Sequence, residues 1–168
     1  MPLDPTTLAS GLETMTPTAE EQPAIVAFSN AWSDYFAGSI VSGVTAVPGT
    51  FDPGIAAMQT AMVGFSAENA GAAGIQSGIT AFWGAISPLA AAIWPLAPAA
   101  VLAAVTPPPL VGAIAADLLA MFPVIVEAKL SLHDAATTIA AKLHTDGGTG
   151  ALATGLSSSG APVSFPVA

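Results

Sequence analysis

Apolar residues recur at steps of three and four through most of this chain, and proline and glycine, rather than charge, punctuate the stripes. Asp4 precedes Pro5, a capping acceptor ahead of a proline at the first helical position. Leu8, Leu12 and Met15 continue on one face, Gly11 weakens this short helix and Thr16-Pro17 breaks it. The clearest amphipathic pattern comes next: Ile25, Phe28, Trp32, Phe36 and Ile40 line one side, opposite Ser29, Asn30, Ser33 and Ser39. This predicts a helix ending near Gly43. It starts either at Thr18, with Glu21 at capping-box spacing, or with Pro23 at its first helical position. A Gly/Pro/Thr-rich loop over 42–52 leads to Asp52-Pro53, which repeats the opening signature, and Ile55, Met58, Met62 and Phe65 follow on a helical stripe.

After a small-residue link at Glu68–Gly74, Ile75, Ile79, Phe82 and Ile86 predict another helix. Ser87-Pro88 opens a further piece that Pro95 and Pro98 interrupt, so 88–105 is expected to be one kinked helix or two short ones. Thr106-Pro107-Pro108-Pro109 predicts an extended polyproline joint. Leu110, Ile114, Leu118, Met121 and Phe122 predict a helix that Pro123 kinks or ends, and Ser131 with Asp134 caps a last helix carrying Ile139 and Leu143. From Asp146 onward the helical period is gone. The expected fold is therefore all-α: a compact bundle of six to seven short helices over 1–146, with the Pro-rich joint at 106–109 and an extended Gly/Ser/Pro tail at 147–168. The helix pairs on either side of the joint fit a duplicated hairpin, a fit that any two Ala-rich pairs would share.

Composition adds a constraint that periodicity does not carry. Hydrophobic residues make up 53% of the 168 positions and charged residues 8%, against about 25% charged in an average soluble domain. From Asn69 to Ala116 there is no Asp, Glu, Lys or Arg. Such a surface implies lipid contact, protein contact, or a covering of mildly polar small residues. Segments near 79–105 and 110–128 are long enough to span a bilayer. Pro88, Pro95 and Pro98 fall inside the first, Ala supplies its apolarity, and no Lys or Arg flanks it, so a membrane protein is only the alternative reading. Eleven acids against two lysines exclude nucleic acid as a partner, because phosphate neutralisation needs clustered cations. The absence of cysteine rules out disulfides and thiolate chemistry. The N-terminal residues show no basic region before an apolar run, so no signal peptide is expected.

No constellation for catalysis emerges. His133 and His144 stand eleven residues apart, about 16 Å along a continuous helix, too far to share a metal. Asp117 is the acid with the most apolar neighbourhood, which makes it a pKa candidate, yet it has no recognisable partner and reads as solvent-facing. Ser157, Ser158 and Ser159 lie between glycines without matching a nucleophile elbow. Gly74 and Gly78 have the spacing that lets helices approach closely. Trp32, Tyr35, Phe36, Phe82, Trp83 and Trp94 read mainly as core. No catalytic residue, cofactor, metal or small-molecule ligand is predicted.

The remaining reading is a structural subunit whose uncharged faces are covered by copies of itself or by other proteins. Five features bear on it: the opening Leu3-Asp4-Pro5-Thr6-Thr7-Leu8, the run from Ala27 to Tyr35, the helix ending Ala81-Phe82-Trp83, the segment Val105 to Pro109, and a Gly-rich end after a final helix. As a layout over most of the chain, they resemble small Ala/Pro-rich proteins encoded among the structural genes of tailed phages and phage-tail-like particles. That resemblance implies a non-catalytic component of a multi-copy particle, a virion or phage-tail-like assembly made in the cytoplasm. The interface candidates are Trp83, Trp94, Val163, Phe165 and Val167, the last three on a tail expected to dock on a neighbour.

Overall fold

The computed structural model describes residues 3–15, 20–65 and 70–168. Among the described residues there are seven α-helices: α1 (Pro5–Glu13), α2 (Glu21–Phe36), α3 (Asp52–Met62), α4 (Gly71–Ile86), α5 (Ala90–Ile93), α6 (Ile114–Glu127) and α7 (Leu132–Leu143). Of the caps read from sequence, those at Asp4 and Ser131 form, whereas Asp52 lies inside α3 without a side-chain cap bond and Ser87 bonds to Val105 instead. The Asp4 carboxylate accepts from Thr6 N at 2.9 Å, and Ser131 Oγ accepts from Asp134 N at 3.1 Å while donating to Asp134 Oδ2. Thr18 and the Thr16-Pro17 break lie outside the described residues. Pro23 falls in the first turn of α2, where its missing N–H is not needed. Pro123 does not end α6, which continues through it to Glu127.

The all-α expectation is wrong. Helices dominate, but the chain also forms a two-stranded ribbon, β1 (Ile40–Val41) with β2 (Val44–Thr45), and a three-stranded antiparallel sheet in the order β3 (Ala100–Thr106), β4 (Leu152–Ser157), β5 (Pro162–Pro166). The fold is mixed α/β. Residues 100–105, expected within a proline-interrupted helix, form the strand β3 together with Thr106, and the expected extended tail supplies β4 and β5. The cause is legible afterwards. Ala100, Leu102 and Val105 are buried while Val101, Ala103 and Thr106 are exposed, an alternation with one β-bulge between Leu102 and Ala104. Ala is a helix former, so an Ala-rich strand hides its period behind its propensity. Pro107-Pro108-Pro109 follows the strand as its exit, not as a joint between two helical hairpins.

The sheet is closed on the helical body at both edges. Ser87 Oγ donates to Val105 O at 2.8 Å and accepts from Val105 N at 3.2 Å, so one serine satisfies both backbone groups of that edge residue. At the other edge Val167 bridges to Val41, and Ile40 and Ala168 exchange hydrogen bonds of 2.7 and 3.0 Å. The β4–β5 hairpin turns at Ser157–Gly160, where Gly160 has φ +80° and Ala161 N donates to Ser157 Oγ.

The core centres on aromatic rings. Phe36 meets Phe51, Phe82, Trp83 and Trp94 edge-on, with the Phe36–Phe82 centroids 4.7 Å apart, and Trp32 packs against Tyr35 and Phe82. Close packing of α3 on α4 depends on glycine. A Cβ at Gly54 would meet Ile86 and Phe82, and one at Gly78 would meet Met62 and Met58. The Gly74/Gly78 spacing thus serves helix packing inside this chain.

Candidate functional site

Two places in the fold combine unusual chemistry with a defined geometry. The first is the turn His144–Gly148 that follows α7, a single widened π-helical turn. Its two glycines lie against the aromatic core. A Cβ at Gly147 would crowd Ile114, Trp32 and Ile79, and one at Gly148 would overlap the Tyr35 hydroxyl. The Trp83 indole Nε1–H donates to Gly147 O at 2.8 Å, and Tyr35 Oη lies 2.7 Å from His144 Nδ1. Burial pushes the Tyr35 phenol far up and the His144 imidazole down from its ordinary 6.5. Both shifts favour one arrangement, a protonated tyrosine donating to the neutral ring's Nδ1, with the imidazole proton on Nε2.

Between the turn and α6 stands Lys142, whose ammonium is 2.8 Å from Asp117 Oδ2 and 3.2 Å from Asp146 Oδ2. Asp146 is 1% exposed, and the second contact is an ion pair without hydrogen-bond alignment, so neither Asp146 oxygen has a hydrogen bond. Burial raises the Asp146 carboxyl above the usual carboxylate range, with Lys142 acting in the opposite sense. The hydrogen bond from Lys142 instead lowers Asp117. Asp117 therefore has a partner that sequence spacing did not reveal, in a lysine 25 residues away on another helix. The arrangement locks the α6–α7 pair to the turn. Among the described residues no group of His, Cys, Asp and Glu could hold a metal.

The second place is the far end of the same helix pair. From Leu119 to Asp134 nearly every residue is exposed, and this projecting tip carries Leu119, Phe122, Val124, Val126, Leu130 and Leu132, with Val126 72% and Leu132 63% exposed. Leu119, Phe122 and Val126 recur at three and four residues. With Pro123 and Glu127 they line a shallow groove of about 360 Å³ along the outer face of α6. Within the tip only Glu127, Lys129 and Asp134 are charged. A smaller apolar face lies on the outside of the sheet, where Val101 and Leu156 pair across β3 and β4, beside the exposed Leu152.

The interface candidates fall elsewhere. Trp83 and Trp94 are fully buried in the chain's own aromatic core and present nothing to a neighbour. Val167 is buried against Val41, and Phe165 and Val163 are half-buried, Phe165 packing on the core from β5. The apolar end docks on its own chain. His133 is exposed and pairs with Glu13 at 3.1 Å, and the three serines form the β4–β5 turn. Sequence reasoning missed the tip, although a signal was present: Leu118 to Val126 is apolar without interruption, and a helix apolar on every side needs burial on every side. Among the described residues no helix is long and apolar enough to cross a membrane; the stretch 79–105 is divided among α4, a short 3₁₀ turn, α5 and β3. No protein-family model matches the chain, and neither the curated proteins nor the solved structures give a match.

Proposed function

We propose that this chain is a non-catalytic assembly subunit of a multi-copy particle, a virion or phage-tail-like structure, held to its neighbours through apolar helix contacts. One observation carries the reading: the α6–α7 tip exposes six large apolar side chains on a chain that buries most of its aromatic rings. Patches of this kind on a folded protein mark contact surfaces. The sheet's outer face, with Val101, Leu152 and Leu156, is a second surface available to a neighbour. The Lys142 ion pairs and the tight glycine turn serve this role by fixing the base of the hairpin, so that the tip is presented in one orientation.

The test is the size of the purified protein by size-exclusion chromatography with light scattering, for wild type and for Val126→Glu. Val126 is mostly solvent-exposed, so the substitution leaves the fold intact, which circular dichroism checks. Wild type is expected above monomer mass and the variant at monomer mass. A wild-type protein that stays monomeric at about 100 μM, a concentration that populates any self-contact of micromolar Kd, refutes the proposal.

A further inference from the structure

Hydrogen-bond parity decides which way the backbone of each β5 residue faces. Ser157 N donates to Ala161 O at 2.8 Å and Val167 N to Ala151 O at 3.0 Å, and the β4–β5 register runs unbroken between these two bonds. Antiparallel pairs alternate between hydrogen-bonded and non-hydrogen-bonded. The backbone groups of Val163 and Phe165 therefore face Gly155 and Ala153, and those of Pro162, Ser164 and Pro166 point away from β4. Ala168 keeps the same parity in its bonds to Ile40, and β1 occupies the outer edge only there and at Val167. The ribbon then turns back at Ser42 and Gly43, with φ +49° and +82°, and no other strand among the described residues pairs along β5. The outer edge from Pro162 to Pro166 is thus open, with Pro162, Ser164 and Pro166 all exposed. An open edge is a template for a further strand. Two of its three outward positions, however, are prolines, which carry no N–H and place a ring where an incoming strand must approach. Both stand at the parity that costs the β4–β5 ladder no hydrogen bond. We infer that Pro162 and Pro166 guard this edge against strand addition, so that an extended segment of another copy cannot lengthen the sheet through β5. The opposite edge is blocked by different means to the same end, since Ser87 occupies both backbone groups of Val105 on β3.

The test is the double variant Pro162→Thr/Pro166→Thr, which restores an outward donor at both positions with a residue suited to strands. Neither proline bonds to β4 through its nitrogen, so the fold of the single chain is retained, which circular dichroism checks. Amide hydrogen exchange followed by NMR reads the edge directly. In wild type the Ser164 N–H is expected to exchange rapidly at every protein concentration, while those of Val163 and Phe165 are protected. In the double variant, exchange at positions 162, 164 and 166 is expected to slow by about tenfold or more as concentration rises, together with a growth in mass seen by light scattering. Adding Ser164→Pro to the double variant returns one proline to the outward parity and is expected to bring the mass back to that of wild type. If the double variant does not fold, Pro162→Thr alone, which restores adjacent outward donors at 162 and 164, carries the same exchange readout. Rapid exchange at Ser164 in the folded variant at every concentration overturns the guard. Growth in mass with Ser164 still exchanging rapidly also overturns it, because association then runs through another surface. Protection of the Ser164 N–H already present in wild type does the same. None of these outcomes bears on assembly through the tip, which Val126→Glu reports separately.

Discussion

Replacing Lys142 by Met removes the cation that faces a carboxylate buried to 1% exposure. The methionine keeps the aliphatic stem, so packing at the base of the hairpin changes little. What changes is that Asp146, already without a hydrogen bond, loses its countercharge. Breaking a buried ion pair by deleting one partner costs about 3–5 kcal/mol. Lys142 itself is about one-third exposed and water screens part of the interaction, so about 2–3 kcal/mol is expected at pH 7. For a domain of this size that lowers Tm by roughly 4–12 °C. The pH dependence fixes the cause. The folded-state pKa of Asp146 is raised above its unfolded value of 3.8 by burial, so the folded state binds the proton more tightly and stability increases as pH falls through the folded pKa. Without Lys142 that pKa rises further. The deficit of the variant should therefore shrink as pH falls through that raised pKa and the carboxyl becomes neutral. Urea unfolding followed by the fluorescence of Trp32, Trp83 and Trp94, all fully buried, measures this across a series of falling pH. The double variant Lys142→Met/Asp146→Asn should recover most of the loss and its pH dependence should vanish. A Lys142→Met protein as stable as wild type at pH 7, or with a deficit that stays constant as pH is lowered, would refute the assignment.

Three further outcomes are expected. Trp83→Phe keeps most of the ring but leaves the buried Gly147 O without its donor, costing about 1–3 kcal/mol in the same urea assay. Gly54→Ala places a methyl 2.5 Å from Ile86 Cγ2 and 2.8 Å from Phe82, which forces α3 off α4 and costs about 1–3 kcal/mol; differential scanning calorimetry should show a lower Tm. The two histidines should titrate on opposite sides of 6.5 by NMR, His133 above it through its hydrogen bond to Glu13 and His144 below it through burial, and Glu13→Gln should return His133 toward its ordinary value without moving His144.

The helices were legible in the sequence and the strands were not, for a physical reason. The Asp4-Pro5, Asp52-Pro53 and Ser131/Asp134 signatures act within a few residues, and each stands at or beside the start of a helix. The strand β3 depends on partners about fifty residues away, Leu152 to Ser157, and neither strand is rich in the aromatic and β-branched residues that announce a sheet, Val101, Val105, Thr106 and Thr154 excepted. The same distance hid Lys142's bond to Asp117. The two tryptophans singled out as interface residues were correctly read as large apolar side chains, but whether such a group faces its own chain or another is a tertiary fact that local pattern does not encode.

This bears on why the chain carries so few charges. The stretch from Asn69 to Ala116 contains none, and where it is described it holds the buried faces of α4, α5 and β3, including Ile79, Phe82, Trp83, Ile86, Ile93 and Trp94. Its burial is largely internal and calls for no neighbour. The tip shortly beyond it does contain charges, Glu127 and Lys129, yet it exposes more large apolar side chains than any other segment of similar length among the described residues. The absence of charge and the exposure of apolar surface are thus separate features that happen to adjoin. The first reflects a dense small-residue core, in which Gly54, Gly78 and the Ala positions let backbones approach where long charged side chains would not fit. Only the second asks for a partner. A helix pair anchored at its base by Asp117, Lys142 and Asp146 and left uncovered at its end is costly for an isolated protein to keep, because it invites indiscriminate association. In the assembly proposed above, a neighbour covers it.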